Sequence, residues 1–273
     1  MSIVPADRLA RCLVRNVLPP NEEGRRIGSS AAMTSEPTTI YREIPRIPGE
    51  WLESIRGCSV ADLNDALPPP IRDAALLPSS LQSLVPGTRI CGQAITAQSA
   101  TGDGLISHCA LYLARRGDVL VISSEGSDSA MWGGAVAFDA KTLGLAGAVV
   151  YGAIRDVGVI REMRFPTWMR LASASRSEKK GQGYVNTPIA CGTTIIHPGD
   201  IVVADDDGVL AFAPSHIDKL VEQVRRKREA ESEMRRRVES GERLFKVARF
   251  DELLAANGIE IKDGHWTPES TPV

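Results

Sequence analysis

The stretch GLAGAVVYGAIRD, residues 144–156, joins an apolar run to an adjacent pair of opposite charges. The apolar run is short, contains β-branched residues and is bounded by glycines, which predicts a strand over Ala148–Tyr151. The side chains of Arg155 and Asp156 would point to opposite faces of a continuing strand, so they can serve one site only where the strand has ended. Gly152 favours such an ending. The stretch therefore predicts a buried strand that carries a charged pair at its carboxyl end.

The segments on either side of this strand alternate between strand and helix patterns. Helical spacing and good helix formers predict helices over Gly104–Arg115 and Ala130–Leu143. Short β-branched runs predict further strands over Arg89–Ala97, Val119–Ser123, Thr167–Leu171, Thr194–His197 and Ile201–Ala204. This alternation predicts an α/β fold.

The composition is that of an ordinary globular protein, with 43% hydrophobic and 24% charged residues among 273. A formal net charge of -2 gives no reason to expect a nucleic acid or an anionic membrane as a partner. No apolar run approaches the roughly 18 residues needed to span a bilayer. The cysteines are widely spaced and form no C-x-x-C pair, which argues against a disulfide framework and a zinc site. A cytoplasmic location is therefore expected.

The start of the chain lacks an apolar period. Residues 19–48 are rich in Pro, Ser, Thr and charge, which predicts that residues 1–47 form a flexible extension. The arginines near the start leave an organelle transit peptide as an alternative, against which the acidic residues that soon follow argue. The folded domain is expected over residues 48–246, followed by a tail over residues 247–273.

Helical patterns mark both ends of this expected domain. Apolar residues recur at helical spacing over residues 51–55, and Ser59 stands where it can cap a second helix through Leu67. A long amphipathic helix is expected from Ile217. Its polar face mixes arginines and glutamates over residues 225–233, which is typical of a solvated, salt-bridged helix. A contact surface for a partner subunit is the alternative.

Arg155 and Asp156 have two interpretations. In the first, Asp156 is the N-cap of a short helix over Val157–Met163 and Arg155 is simply exposed. In the second, Arg155 binds a carboxylate or keto oxygen, and Asp156 is an oxygen ligand for a hard cation such as Mg²⁺. Both can hold together, because a cap position lies at the carboxyl end of a strand, where α/β sheets bind ligands.

The glycine-rich loop before this strand supplies a complementary feature. Gly126, Gly133 and Gly134 permit a ligand to approach the backbone closely. The N–H groups at the start of the helix from about Ala135 can hold a carboxylate. The glycines can equally serve only a tight turn.

These motifs together resemble the RraA-like proteins. The family includes the regulator of ribonuclease E activity and the metal-dependent 4-hydroxy-4-methyl-2-oxoglutarate aldolases, which also decarboxylate oxaloacetate. The resemblance runs from about Ser59 to Glu231 and implies a swivelling-domain α/β/α sandwich with a long C-terminal helix, assembled as a trimer or a hexamer. The matching stretches, in the family's order, are ADLNDAL, GQAITAQ followed by GDGLISHCAL, GDVLVI, WGG, GLAGAVVYGAIRD and PGDIVVADDDGVLAFAP.

The resemblance also implies the site, which in the family's aldolases lies between subunits. The family's G-x-x-R-D motif matches Gly152, Arg155 and Asp156. By this match Arg155 and Asp156 are catalytic: Arg155 binds the oxo and carboxylate oxygens of the substrate, and Asp156 anchors Mg²⁺ or Mn²⁺. The backbone of Trp132, Gly133, Gly134 and Ala135 would bind the pyruvate carboxylate.

One position departs from the family. The aldolases carry an acidic residue in a W-G-D or W-G-E sequence, at the position that Gly134 occupies here. Four acids are candidates to replace it: Asp128, Asp103, and Glu229 or Glu231 from a neighbouring subunit. Each is otherwise a solvated turn or helix-face acid.

The sequence thus supports a divalent-metal-dependent lyase that cleaves or decarboxylates 2-oxo acids to pyruvate. The alternative is a non-catalytic regulatory or protein-binding member of the same fold, favoured by Gly134 and by the basic run over residues 225–228. A third hypothesis is an enzyme of different specificity. Loss of the acid at position 134 should affect aldol cleavage more than decarboxylation, because only aldol cleavage must remove a hydroxyl proton.

Overall fold

A 10-stranded mixed sheet organises the molecule. The computed structural model describes residues 38–100, 102–124 and 127–265. The strands of the sheet are β1 Thr39–Ile40, β2 Gln82–Ser83, β3 Ile90–Ser99, β4 Val119–Ser123, β5 Ala130–Trp132, β6 Gly147–Ile154, β7 Thr167–Ala172, β8 Gly183–Val185, β11 Ile201–Asp205 and β12 Gly208–Phe212. They run in the order β1-β8-β3-β4-β6-β7-β2, with β5 beside β6 and with β11 and β12 joined to the other end of β3. A separate two-stranded sheet comprises β9 Ile189–Cys191 and β10 Thr194–Ile196.

Helices connect the strands and cover the sheet. Their bounds are α1 Gly49–Ile55, α2 Val60–Ala66, α3 Pro69–Ala75, α4 Leu105–Leu113, α5 Gly134–Leu143, α6 Val157–Met163, α7 Ile217–Glu239, α8 Leu244–Val247 and α9 Phe250–Ala256. A single 3-10 turn, Pro214–His216, precedes α7. No helix among the described residues is both long enough and apolar enough to cross a membrane.

The centre of the sheet is parallel and buried on both faces. Strands β3, β4, β6 and β7 pair in parallel, and every residue of β4 is buried. Within β4 the even-numbered side chains pack toward the helices α4–α6, whereas the odd-numbered ones pack toward β9–β12. Because both faces of these strands are buried, side chains at odd and even positions are both apolar. Each parallel strand therefore appears in the sequence as a continuous apolar run. The α/β fold that the alternating patterns predict is confirmed.

All six predicted strands form, but the helix predicted over Ala130–Leu143 begins later than expected. Residues 130–132 form β5 instead, in which Ala130 pairs with Ala153 and Trp132 pairs with Ile154 of β6. Helix α5 starts at Gly134. Periodicity cannot distinguish a three-residue buried strand from a buried helical turn, which is why the sequence pattern missed β5.

The structure includes packed residues before the domain start expected near Pro48. Strand β1 pairs in parallel with Tyr184 and Val185, and the side chain of Ile44 is buried in the core. Arg46 forms a two-pronged ion pair with the buried carboxylate of Asp118, with Nη2 at 3.0 Å from Oδ2. These residues are held by an edge-strand pair and an ion pair, neither of which produces an apolar period. The rest of the expected extension, residues 1–37, lies outside the described part of the chain.

The helices predicted at both ends of the domain form, and they pack together. Ser59 caps α2, because its hydroxyl accepts a hydrogen bond from the backbone N–H of Asp62 at 3.0 Å. Helix α7 buries its first apolar residues on a core shared with α1 and α2. Arginines farther along α7 pair within the helix or with α2: Arg225 with Glu222 and Glu229, Arg226 with Glu222, and Arg228 with Asp62. This confirms the predicted salt bridges over the first half of the helix.

Candidate functional site

The register of β5 beside β6 brings the two predicted halves of the site together. Trp132 pairs with Ile154, and the backbone N–H of Arg155 donates a hydrogen bond to the carbonyl oxygen of Trp132 at 3.0 Å. Both strands end at this level and are followed by helices, α5 after β5 and α6 after β6. The Gly133–Gly134 turn therefore faces Arg155 and Asp156 at the carboxyl edge of a parallel sheet, where α/β folds bind ligands.

Asp156 occupies the cap position of α6, but its side chain does not cap that helix. Its backbone is left-handed, with φ 56° and ψ 37°, and its carboxylate accepts no hydrogen bond from the first turn of α6. Instead, Oδ2 accepts a hydrogen bond from the backbone N–H of Gly134 at 3.1 Å. A left-handed residue other than glycine costs about 1–2 kcal/mol, and aspartate tolerates this conformation better than most residues. The strained backbone turns the carboxylate across the cleft, away from its own helix.

The two glycines of the turn leave room for this close approach. A Cβ atom added to Gly133 would lie 3.0 Å from Oδ2 of Asp156 and 3.1 Å from Cγ of Arg155. A Cβ atom added to Gly134 would lie 3.2 Å from Cβ of Asp156 and 3.2 Å from Cγ1 of Val159. Gly133 has an extended backbone, so space rather than conformation demands glycine there. Gly134 thus makes room for Asp156, and a larger residue there must displace it slightly.

Arg155 and Asp156 form a loose, accessible ion pair. Nε of Arg155 lies 3.6 Å from Oδ2 of Asp156, and the two side chains are 45% and 46% exposed. An ion pair at this exposure contributes at most about 1 kcal/mol. Both groups can therefore exchange this contact for a ligand at little cost.

The ion pair opens onto a cleft of about 260 Å³. The wall opposite this ion pair, here called the far wall, is formed by residues 176–179 and carries two cations, Arg176 and Lys179, that no sequence motif indicated. The lining residues are His108, Ala130, Met131, Trp132, Gly133, Ala135, Val136, Arg155, Asp156, Arg176, Ser177 and Lys179. Of the four backbone positions predicted to bind substrate, the cleft is lined by Trp132, Gly133 and Ala135, whereas Gly134 is turned toward Asp156.

A buried carboxylate holds the far wall in place. Asp103 is 2% exposed, and its oxygens accept hydrogen bonds from the backbone N–H groups of Leu105, Lys180 and Gln182 at 2.8, 3.0 and 2.9 Å. These bonds tie the turn before α4 to the loop over residues 176–182. Asp103 is therefore a structural anchor rather than a replacement for the acid missing at position 134.

The other replacement candidates do not reach the cleft within this chain. Asp128 is exposed and is not among the residues that line the cleft. Glu229 pairs with Arg225, and Glu231 lies 3.6 Å from Lys227, both on α7. The expectation that either glutamate enters the site from a neighbouring subunit stays a prediction. Gly126, the remaining glycine of the predicted loop, lies outside the described residues.

His108 sits beside one of the cleft cations. Burial lowers the pKa of its imidazole, and the ammonium group of Lys179 lowers it further, against the opposing effect of Asp139. His108 is thus neutral at physiological pH and offers the cleft one hydrogen-bond donor and one acceptor rather than a charge.

The site provides one carboxylate for a metal ion. Among residues 38–100, 102–124 and 127–265, no three His, Cys, Asp or Glu side chains cluster as a metal cage would need. Mg²⁺ commonly binds through one or two carboxylates and completes its shell with substrate oxygens and water. A half-exposed carboxylate such as that of Asp156 fits this mode of binding. The donor set does not suit an ion that requires several soft protein ligands.

Comparisons with known proteins show which sequences and folds this chain resembles. A family model described as "RraA-like: Aldolase/RraA" matches residues 60–211. A Halalkalibacterium halodurans protein described as "Putative 4-hydroxy-4-methyl-2-oxoglutarate aldolase" is 41% identical over 162 residues, which cover 59% of this chain and 77% of that protein.

Two solved structures share the fold. An uncharacterized protein from Pseudomonas syringae pv. tomato aligns with a TM-score of 0.67 and 26% identity, over 76% of this chain and 97% of its own. Streptomyces coelicolor RraAS2, described as an unusual member of the RNase ES inhibitor RraA protein family, aligns with a TM-score of 0.63 and 28% identity, over 70% of this chain and 98% of its own. Because that neighbour is described among ribonuclease inhibitors, the expected absence of a nucleic-acid partner gains no support here.

The geometry of Asp156 predicts how its substitutions affect stability. Asn tolerates the left-handed backbone and keeps an oxygen that accepts the Gly134 N–H. The free energy of unfolding of Asp156→Asn should therefore lie within about 0.5 kcal/mol of the wild-type value. Asp156→Ala loses that hydrogen bond and places a residue with no local side-chain hydrogen bond in the left-handed region, which should cost about 1–3 kcal/mol. Urea denaturation measures both values. Equal stability of the Asn and Ala variants would contradict the geometry described.

Proposed function

The chain belongs to the RraA-like family, and on this premise we propose that it is a divalent-metal-dependent carbon–carbon lyase that releases pyruvate from 2-oxo acids. The observation that carries the proposal is the meeting of Arg155 and Asp156 with the Gly133–Gly134 turn in one cleft. The description of the H. halodurans relative supports an aldolase of the 4-hydroxy-4-methyl-2-oxoglutarate type.

The first turn of α5 is the proposed binding site for the substrate carboxylate. The N–H of Gly134 is already donated to Asp156, and the N–H of Ala137 is donated to the carbonyl of Gly133. The N–H groups of Ala135 and Val136 lie between them, lack partners within the helix, and belong to residues that line the cleft. The positive end of the helix dipole adds to their attraction for an anion.

Arg155 is proposed to stabilise the charge that develops during cleavage. Breaking the carbon–carbon bond leaves an electron pair on C3 of the pyruvate half, which becomes an enolate with its charge on the former oxo oxygen. A guanidinium that donates hydrogen bonds to this oxygen favours the transition state over the ground state, because the charge is greater there. Asp156 would hold Mg²⁺ or Mn²⁺, which would supply Lewis-acid stabilisation of the same enolate.

The two candidate reactions differ in their need for a base. Aldol cleavage must remove the proton of the 4-hydroxyl group, whereas decarboxylation of oxaloacetate has no such proton to remove. Asp156 is the one carboxylate among the described residues that line the cleft. Decarboxylation therefore needs no base from the cleft, whereas efficient aldol cleavage needs one besides Asp156, such as the neutral imidazole of His108 or a group from a neighbouring subunit.

A non-catalytic regulatory role is the second candidate. It is favoured by the description of RraAS2 and by Gly134 in place of the family's acid. The basic run on α7 supports it less than the sequence suggested, because Arg225, Arg226 and Arg228 are paired with carboxylates of this chain. An activity measurement separates the two candidates.

The lyase proposal predicts metal-dependent pyruvate release that requires both charged residues. With oxaloacetate and Mg²⁺, Arg155→Ala and Asp156→Asn should each lower kcat/KM about 100- to 1,000-fold, since each removes charge stabilisation at the reacting oxygen. Chelation of the metal should lower the wild-type rate to that of Asp156→Asn. A coupled assay for pyruvate measures these rates.

Arg164→Gln is the matched control, because Arg164 is an exposed arginine at the far end of α6 and does not line the cleft. Its kcat/KM should stay within about twofold of the wild type, as expected for a surface change remote from the site. Wild-type activity in both Arg155→Ala and Asp156→Asn would refute the lyase proposal. So would the absence of metal-dependent pyruvate release at high enzyme concentration, and the regulatory role would then be favoured.

Assembly into a trimer or hexamer is part of the proposal. Phe138 on α5 and Val159 on α6 are 63% and 49% exposed, and both lie on helices that begin at the cleft. Exposed large apolar side chains beside a site are typical of a surface that a partner covers. A neighbouring subunit at this surface would stand close enough to contribute the missing base.

The assembly proposal predicts a particle of three or six times the 29.4 kDa of one chain. Phe138→Glu places a charge in the proposed interface and should shift the protein toward monomers, because burying an unpaired charge is strongly unfavourable. Sedimentation velocity measures both masses. A wild-type monomer at micromolar concentration, or an unchanged assembly in Phe138→Glu, would contradict this interface.

A further inference from the structure

Two cations on the far wall of the cleft are left unused by the mechanism above. Arg176 and Lys179 line the cleft, are exposed, and form no ion pair with any carboxylate in the described part of the chain. Their neighbour Lys180 behaves differently, since its ammonium group pairs with Glu178. The cleft therefore presents two unpaired charges opposite Arg155 and Asp156.

The loop that carries these cations is held rigidly. Besides the bonds to Asp103, the N–H of Glu178 donates to the carbonyl of Gly102 at 2.7 Å, and the N–H of Gly104 donates to the carbonyl of Glu178 at 2.8 Å. The N–H of Ala130 in β5 also donates to the carbonyl of Ser175 at 2.9 Å. The backbone on both sides of Arg176 is thus fixed beside the cleft, so a ligand that meets the side chain has to order only the side chain itself.

The charges of the described residues that line the cleft do not balance. Arg155, Arg176 and Lys179 are cationic, Asp156 is anionic, and His108 is neutral because burial and Lys179 lower its pKa. A 2-oxo acid with one carboxylate needs only the α5 amides and Arg155. Arg176 and Lys179 would then have only water as a partner, although both line the cleft.

We propose that Arg176 and Lys179 bind a second carboxylate at the far end of the substrate, and so select dicarboxylic 2-oxo acids. The inference rests on the proposed lyase function and assigns specificity to residues on a different loop from the reacting groups. Arginine suits this role because its guanidinium can hold a carboxylate through two parallel hydrogen bonds.

The two reactions use this second carboxylate in opposite ways. In cleavage of 4-hydroxy-4-methyl-2-oxoglutarate, the C3–C4 bond breaks, its electron pair stays on C3, and C4 becomes the ketone of a second pyruvate as the hydroxyl proton leaves. The far carboxylate keeps its charge throughout, so its contacts with Arg176 and Lys179 persist in the transition state. In oxaloacetate the far carboxylate departs as CO₂ and loses its charge, so the same contacts stabilise the ground state more than the transition state.

A comparison of three substrates tests the proposal. They are 4-hydroxy-4-methyl-2-oxoglutarate, its monocarboxylic counterpart 4-hydroxy-2-oxopentanoate, and oxaloacetate. In the double variant Arg176→Gln, Lys179→Gln, kcat/KM for the dicarboxylic aldol should fall about 10- to 100-fold, and that for the monocarboxylic aldol should stay within about twofold. For oxaloacetate KM should rise while kcat stays level or increases.

Two matched variants check that these effects come from charge at the cleft. Lys180→Gln removes a cation from the same loop that does not line the cleft, and should leave all three substrates unaffected. The exchange Arg176→Lys with Lys179→Arg keeps both charges and should retain most of the preference for the dicarboxylic aldol. An equal loss on both aldols, or an unchanged ratio between them, would overturn the proposal.

A binding measurement separates this proposal from the lyase function. Calorimetry with 2-oxoglutarate and 2-oxobutyrate, neither of which has a 4-hydroxyl group or a 3-carboxylate to lose, compares a dicarboxylic with a monocarboxylic ligand without turnover. The wild type should bind 2-oxoglutarate about 10-fold or more tightly, and the double variant should bind both alike. This result supports the proposal even if no pyruvate is released from any substrate. Equal or undetectable binding of the two ligands by the wild type would overturn it.

Discussion

The hydrogen bond from the Gly134 N–H to the Asp156 carboxylate, 3.1 Å long, is the contact on which the site depends. It joins the end of β5 to the end of β6 and fixes the carboxylate beside Arg155. The two glycines of the turn leave room for this bond, and Asp156 tolerates the left-handed backbone that accompanies it. It also occupies the amide of Gly134, so the next amides of α5 remain for a ligand.

This contact changes the meaning of the glycine at position 134. The family's pattern has an acidic residue at this position, so by sequence alone the glycine indicates the loss of a carboxylate. In the fold it is the space into which Asp156 packs, at 3.2 Å from where a Cβ atom would stand. Among the described residues the cleft therefore has one carboxylate, where the family's pattern gives two. In the proposed mechanism this carboxylate suits enolate formation and leaves the proton transfer of aldol cleavage to another group.

Local sequence patterns predicted the parts of the fold that local forces determine. The strands of the parallel centre follow from continuous apolar runs, and the cap of α2 follows from Ser59. Strand β5 was missed because three buried residues have no period of their own. The far wall was missed for a different reason: Arg176 and Lys179 lie in a polar loop without a motif, and only the buried carboxylate of Asp103 brings that loop to the cleft.

The cleft keeps groups that are strained or only loosely paired. Asp156 has a strained backbone, its ion pair with Arg155 is loose, and Arg176 and Lys179 have no carboxylate partner among the described residues. Strain and unpaired charge of this kind persist where the surrounding structure maintains them for binding or catalysis. Their concentration at one edge of the sheet supports a binding site for a small anion there.

The central claim is that Asp156 holds a divalent ion together with a pyruvate-like ligand. Mn²⁺ binding, followed by electron paramagnetic resonance with and without oxalate as a stable mimic of the pyruvate enolate, tests it most directly. The account predicts that oxalate strengthens Mn²⁺ binding in the wild type, and that this effect disappears in Asp156→Asn although the variant stays folded. Equal, oxalate-dependent Mn²⁺ binding by both proteins would contradict it.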